Sequence, residues 1–140
     1  MSKYSVADYP LAETQAEKVI GKRGVSLPEV TLDAVVADKV TMEDLRITPQ
    51  ALRAQADIAR SAKRNSLAEN FDRASELVDV PQEVIMQIYE LLRPGRAKAK
   101  ADLLKTADML RAQYNAHRMA DFVAEAAEIY ERRNLFNARY

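Results

Sequence analysis

The sequence predicts an all-α fold, in which an irregular N-terminal segment is followed by a bundle of about four helices. Of the 140 residues, 23 are alanine, which has the highest helix propensity. Apolar residues recur at helical spacing after Thr48, whereas proline and glycine interrupt the chain repeatedly before it. We therefore predict a segment 1–47 with short helices that docks on a partner, and a helical domain 48–140.

Capping residues mark where the first helices begin. Thr31 is placed to cap a helix over 32–38, and Thr41 with Asp44 forms a cap-like pair. Thr48 and Pro49 combine a capping hydroxyl with proline at the first helical position, which indicates the start of a longer helix. Its apolar stripe is interrupted at Lys63, so the pattern allows either one helix or two between residues 49 and 78.

Later breaks divide the rest of the chain. Val80-Pro81 ends one helix and begins the next, which carries the strongest apolar face and stops at Arg93 before Pro94-Gly95. The apolar stripe of the following helix does not continue in phase beyond Asn115. We therefore expect a break near Asn115 and a final helix after it.

Composition excludes several classes of protein. The formal net charge is zero, which provides no long-range attraction to nucleic acid or to an anionic membrane. There is no cysteine, and no apolar run approaches the roughly 20 residues that span a bilayer. We expect a cytoplasmic protein. Aromatic residues are only 6%, so we expect another chain to complete part of the apolar core.

A search for catalytic groups finds none in a recognisable arrangement. The single histidine, His117, is expected at a surface or interface, and Asp121 with Glu125 as solvated carboxylates. Arg46, Arg53 and Arg60 recur every seven residues, which favours salt bridges over a nucleic-acid stripe because acidic residues are interleaved. Basic residues at the start of a helix are interpreted as a solvated face, with a partner contact as the alternative: Arg96, Lys98 and Lys100.

Several ordered motifs resemble one known family across about 8–135. They are Asp8-Tyr9-Pro10-Leu11-Ala12, Asp44-Leu45-Arg46-Ile47-Thr48-Pro49, Leu67-Ala68-x-Asn70-Phe71-x-Arg73-Ala74-x-Glu76-Leu77, Val80-Pro81 and Ile88-Tyr89-x-x-Leu92-Arg93-Pro94. This series resembles the small (gamma) subunit of adenosylcobalamin-dependent propanediol and glycerol dehydratases. Gly95 departs from the pattern, because family members often carry an aromatic residue after Leu-Arg-Pro.

The resemblance implies a function for the assembly rather than for this chain. The family enzymes are lyases that convert a 1,2-diol into an aldehyde and water. They resemble dimers of three-subunit units, with the cobalamin held between the large and medium subunits. The small subunit would bind no cofactor or metal, supply no catalytic residue and be inactive alone.

The resemblance also suggests structural or interface residues, among which Phe71 is expected to be buried. These residues are Asp8, Tyr9, Pro10, Arg46, Asn70, Phe71, Arg73, Glu76, Tyr89, Arg93 and Pro94. The preference for propanediol or glycerol stays open, as does a location inside a bacterial microcompartment. A self-contained helical adaptor between proteins is the alternative function.

Overall fold

A computed structural model describes residues 3–136, and within them it contains helices, loops and one isolated β-bridge between Ile20 and Ser26. Short 3₁₀ helices cover Val6–Asp8, Ala16–Lys18 and Leu27–Glu29. The α-helices are α1 (Leu11–Thr14), α2 (Leu32–Val36), α3 (Met42–Leu45), α4 (Pro49–Ser61), α5 (Asn65–Leu77), α6 (Gln82–Leu92), α7 (Lys100–Tyr114) and α8 (His117–Arg132). The predicted all-α fold is confirmed. None of these helices is both long and apolar enough to cross a membrane.

The chain divides by packing into two compact units, with the boundary after Val78. This boundary differs from the sequence-based division at 47/48, because the N-terminal segment is bonded directly to α4. The backbone N–H of Lys3 donates to Asp57 Oδ2 at 2.8 Å, and that of Val6 donates to Ser61 Oγ at 2.8 Å. That the N-terminal segment docks on a partner stays a prediction.

The helix starts in the first unit follow the capping residues. The Thr31 hydroxyl accepts from Ala34 N at 3.2 Å, and the Thr48 hydroxyl accepts from Ala51 N at 3.1 Å. Asp44 Oδ2 accepts from Thr41 N at 2.8 Å, which satisfies an N–H at the start of α3. The three helix starts predicted at Thr31, Thr41 and Thr48 are therefore confirmed.

The break around Lys63 produces two helices rather than one. Lys63 adopts a left-handed conformation with φ 60°, and its N–H donates to Arg60 O at 3.0 Å. The N–H of Arg64 reaches back to Ala59 O at 2.8 Å. These two bonds form a Schellman motif, a helix end that usually has glycine at its left-handed position.

Helices α4 and α5 pack through small side chains. Ala56, Ala59 and Ala68 form the buried cluster between them, and Phe71 packs against it. Helices whose contact residues are small can approach each other closely. They also bury little apolar area per residue, so this contact contributes less than leucine or isoleucine would.

The second unit has the larger core. Leu103 and Leu110 of α7 and Val123 of α8 are fully buried, and several alanines and Ile88 of α6 are buried beside them. Asn115 adopts φ 53° between α7 and α8, which confirms the predicted break. The Tyr130 hydroxyl donates to the carbonyl of Leu92, which joins α8 to the end of α6.

We expect Lys63→Gly to raise the free energy of unfolding by about 1 kcal/mol, because a left-handed conformation is strained for a residue with a Cβ. The matched control is Ala62→Gly, one residue earlier, where φ is −80° and glycine relieves nothing. Chemical denaturation of both variants measures the difference. A Lys63→Gly protein no more stable than wild type would contradict the interpretation.

Candidate interaction surface

Residues 3–136 contain no group of three or more His, Cys, Asp or Glu side chains placed to hold a metal ion. His117 is exposed at the start of α8, where its Nε2 lies 2.7 Å from Asn115 Oδ1. Asp121 accepts from Arg111 Nη2 at 2.7 Å. These groups lie at a helix junction, and the geometry supports a structural role for them.

The arginines spaced by seven residues form ion pairs within the chain at two of the three positions. Arg46 Nε lies 3.3 Å from Glu43 Oε1. Arg60 binds Asp57 at 3.3 Å and Asp72 of α5 at 2.5 Å. Arg60 therefore joins α4 to α5, which supports salt bridges over a nucleic-acid stripe.

Lys100 has a role that neither sequence-based interpretation anticipated. Its Nζ lies 2.8 Å from Glu128 Oε1 and 2.8 Å from Glu131 Oε2, both on α8. The hydrogen bonds that Lys100 donates to Glu128 and Glu131 raise the pKa of Lys100 above its ordinary value, because they favour the charged ammonium. The interpretation as a solvated face is thus wrong for Lys100, which ties the start of α7 to α8.

The Asp8-Tyr9-Pro10 motif forms a compact turn at the N-terminus. Asp8 Oδ2 accepts from the backbone N–H of Ser5 at 2.8 Å and from its hydroxyl at 3.0 Å. Gln15 Nε2 donates to Asp8 Oδ1 at 2.6 Å. Tyr9 is exposed, the Tyr9–Pro10 peptide bond is cis, and Pro10 directly precedes α1. Asp8 therefore fixes the turn, while the Tyr9 ring stays available for contact.

Four predicted residues lie together on α5. Arg73 Nη2 donates to Asn70 Oδ1 at 2.6 Å, and Glu76 follows Arg73 by one turn on the same helix side. Phe71, which was expected to be buried, is partly buried and packs against the alanine cluster between α4 and α5.

Three more predicted residues lie at the end of α6. Tyr89 is exposed, and Arg93 Nη1 lies 3.1 Å from Glu90 Oε1, with Pro94 following the helix. A shallow groove of about 440 Å³ on the same helix is lined by Met86, Gln87, Glu90, Leu91 and Arg96. The predicted residues thus occupy separate places along the chain, and an interface role for each stays a prediction.

Sequence reasoning missed a cluster that joins the 21–24 loop to α3. The Asp44 side chain is fully buried, and its Oδ2 lies 3.2 Å from Arg23 Nη1. The same Arg23 nitrogen donates to the Thr41 hydroxyl at 2.9 Å. A Cβ on Gly21 would lie 2.8 Å from the carbonyl oxygen of Asp44, so only glycine fits. Gly21 and Gly24 were the available signal, because glycine marks a turn, but they do not show which segment the turn approaches.

We expect the Asp8 turn to depend on pH in the acid range. The backbone N–H of Ser5, then its hydroxyl, lowers the pKa of Asp8 below its ordinary value of 3.8. The stabilisation is therefore present above 3.8 and lost as the pH falls through the lower, folded-state value. An NMR titration of the Ser5 amide should give a midpoint below 3.8, and Asp8→Asn should abolish it. A wild-type midpoint at or above 3.8 would contradict the contact.

Comparison with known proteins identifies the family. The family model described as "Dehydratase small subunit" matches residues 4–137. The chain is 48% identical over 131 residues to the propanediol dehydratase small subunit of Salmonella typhimurium (strain LT2), covering 93% of this chain and 75% of the relative. It is 47% identical to the protein of the same name from Citrobacter freundii, covering 93% and 76%. The chain therefore belongs to the dehydratase small-subunit family.

Proposed function

We propose that this chain is the non-catalytic small subunit of a coenzyme B12-dependent diol dehydratase. The observation that carries the proposal is the likeness to two propanediol dehydratase small subunits over nearly the whole chain. The assembled enzyme is a carbon-oxygen lyase that converts propanediol or glycerol into an aldehyde and water. Its partners are a large catalytic subunit and a medium subunit, in a dimer of three-subunit units.

The role of the chain in that assembly is to stabilise the large subunit. Charged side chains at several predicted positions are engaged within the chain, as in the pairs Arg46–Glu43 and Arg93–Glu90. Side chains engaged in this way support the local fold, which fits a structural role for these positions. The complex functions in the cytoplasm.

The bound cofactor of the assembled enzyme is adenosylcobalamin, which supplies radical chemistry when bound. The one imidazole of this chain does not fit a role in holding it. His117 is exposed, and its Nε2 lies beside the Asn115 amide oxygen rather than in an enclosed pocket. The proposal therefore places the cofactor between the large and medium subunits and gives this chain no contact with it.

Co-expression with the large and medium subunits from the same source tests the proposal. We expect a tagged chain to recover both subunits in one complex, and the complex to form aldehyde from 1,2-propanediol with adenosylcobalamin. The isolated chain with the same cofactor is the control and should form none. Failure to recover the subunits would refute the proposal, and aldehyde from the isolated chain would refute its non-catalytic role. A chain that melts cooperatively but binds neither subunit would favour a self-contained adaptor.

A further inference from the structure

The segment between Thr31 and Thr48 exposes an unusual density of large apolar side chains. The exposed fractions are 78% for Leu32, 44% for Val35, 76% for Val36, 72% for Met42, 57% for Leu45 and 57% for Ile47. Single exposed apolar residues are normal on a protein surface, but a concentration of them marks an interaction site. We call these six residues the α2–α3 surface.

On each of the two short helices, the exposed apolar side chains lie on the same side of the helix. Leu32 and Val36 are four residues apart on α2, so they lie on one side of it. Met42 and Leu45 are three residues apart on α3 and are neighbours in the same way. Each short helix therefore presents an apolar side, which its neighbours in the first unit leave open to solvent.

The backbone that carries these side chains is fixed by bonds within the unit. The N–H groups of Lys39 and Val40 both donate to Ala34 O, at 2.9 and 3.2 Å, where Asp38 turns the chain with φ 56°. The buried Asp44 holds α3 to Arg23. A partner therefore meets a preformed surface and needs to order little of it, which favours affinity.

The charges beside the surface indicate what covers it. Glu43 is paired with Arg46. Asp33, Asp38 and Lys39 are exposed, and no described residue forms an ion pair with any of them. The surface therefore carries two unpaired negative charges and one positive charge, and a second copy of this chain would bring the same net negative charge to the contact, which opposes association. A complementary partner is apolar opposite Leu32 and Val36 and carries a cationic side chain opposite the two aspartates.

We propose that the α2–α3 surface is where this chain docks on the large subunit of the dehydratase, with a cationic group of that subunit facing Asp33 and Asp38. The inference rests on the proposed function, because it takes the partner from the assembly proposed above. It adds the location of the contact and the chemistry of the surface that receives it.

Affinity measurements on surface variants test the assignment. Purified full-length chain is titrated against the complex of large and medium subunits. We expect Leu32→Ser combined with Val36→Ser to weaken binding at least about tenfold, because apolar contact area is lost. The matched control is Leu104→Ser, an exposed leucine on α7. Unchanged affinity of the double variant, or an equal loss in the control, would overturn the assignment.

A charge reversal tests whether a cationic group of the partner faces Asp33 and Asp38. Asp33→Lys should slow association, and the effect should shrink as salt is added, because salt screens the attraction. Glu125→Lys on α8 is the control and should leave the association rate unchanged. An association rate for Asp33→Lys equal to wild type at low salt would overturn the cationic partner group.

Two further measurements distinguish a variant that fails to fold from a variant that folds but has lost the docking contact. Circular dichroism and a thermal melt of each free variant show whether it folds. Hydrogen exchange of the wild-type chain, free and bound, locates the contact without any substitution. Amides of residues 32–47 should gain protection on binding, and unchanged exchange there would overturn the assignment of the α2–α3 surface as the docking site.

Self-association of the free chain that the double variant abolishes would assign the surface to a second copy. Failure of wild type to bind refutes the proposed function, whereas binding through another surface refutes only this inference.

Discussion

Contacts between alanine side chains hold the helix pairs of this protein together. The small apolar area that they bury limits the hydrophobic stabilisation available to the rest of the structure. Ala56, Ala59 and Ala68 occupy the centre of the α4–α5 pair. Ala107, Ala116, Ala120 and Ala127 lie in the core of the second unit. Alanine favours helix and allows close approach, but it removes little apolar area from water. The chain therefore gains well-formed helices and only a modest hydrophobic stabilisation for each contact.

The two units differ in how much other side chains add to the small apolar area that alanine buries. In the second unit, Leu103, Leu110 and Val123 fill the spaces between the alanines and are fully buried. Ion pairs from Lys100 to α8 add to the α7–α8 contact. In the first unit, Phe71 packs against the alanine cluster and Leu52 and Ile58 of α4 are buried outside that cluster, whereas several large apolar residues lie exposed on α2 and α3. A subunit whose apolar residues lie outside its own core is suited to completion by another chain, as its family membership implies.

The sequence was sufficient where a local interaction decides the structure. Hydroxyl caps at Thr31 and Thr48 and the break at Asn115 depend on residues within one helical turn, so capping and periodicity predicted them. The turn at Lys63 was ambiguous because a non-glycine residue occupies its left-handed position. The resemblance to the small-subunit family, carried by ordered motifs, was confirmed by the family match.

Long-range packing accounts for what could not be predicted. Lys100 binds glutamates about thirty residues away on another helix, and its own neighbours give no sign of that pairing. The burial of Asp44 depends on a loop that approaches only because Gly21 has no side chain. The exposure of Leu32 and Val36 also depends on what lies against α2, because helical spacing alone does not tell an apolar side that faces the core from one that faces a partner.

Native-state hydrogen exchange of the isolated full-length chain tests most directly whether the small alanine core leaves the first unit dependent on a partner. Amides in the middle of each helix report the free energy of opening locally. We expect amides of α4 and α5 to open at lower free energy than those of α7 and α8, because the latter pair encloses Leu103, Leu110 and Val123. Equal opening free energies in the two pairs, or greater protection in α4 and α5, would contradict it.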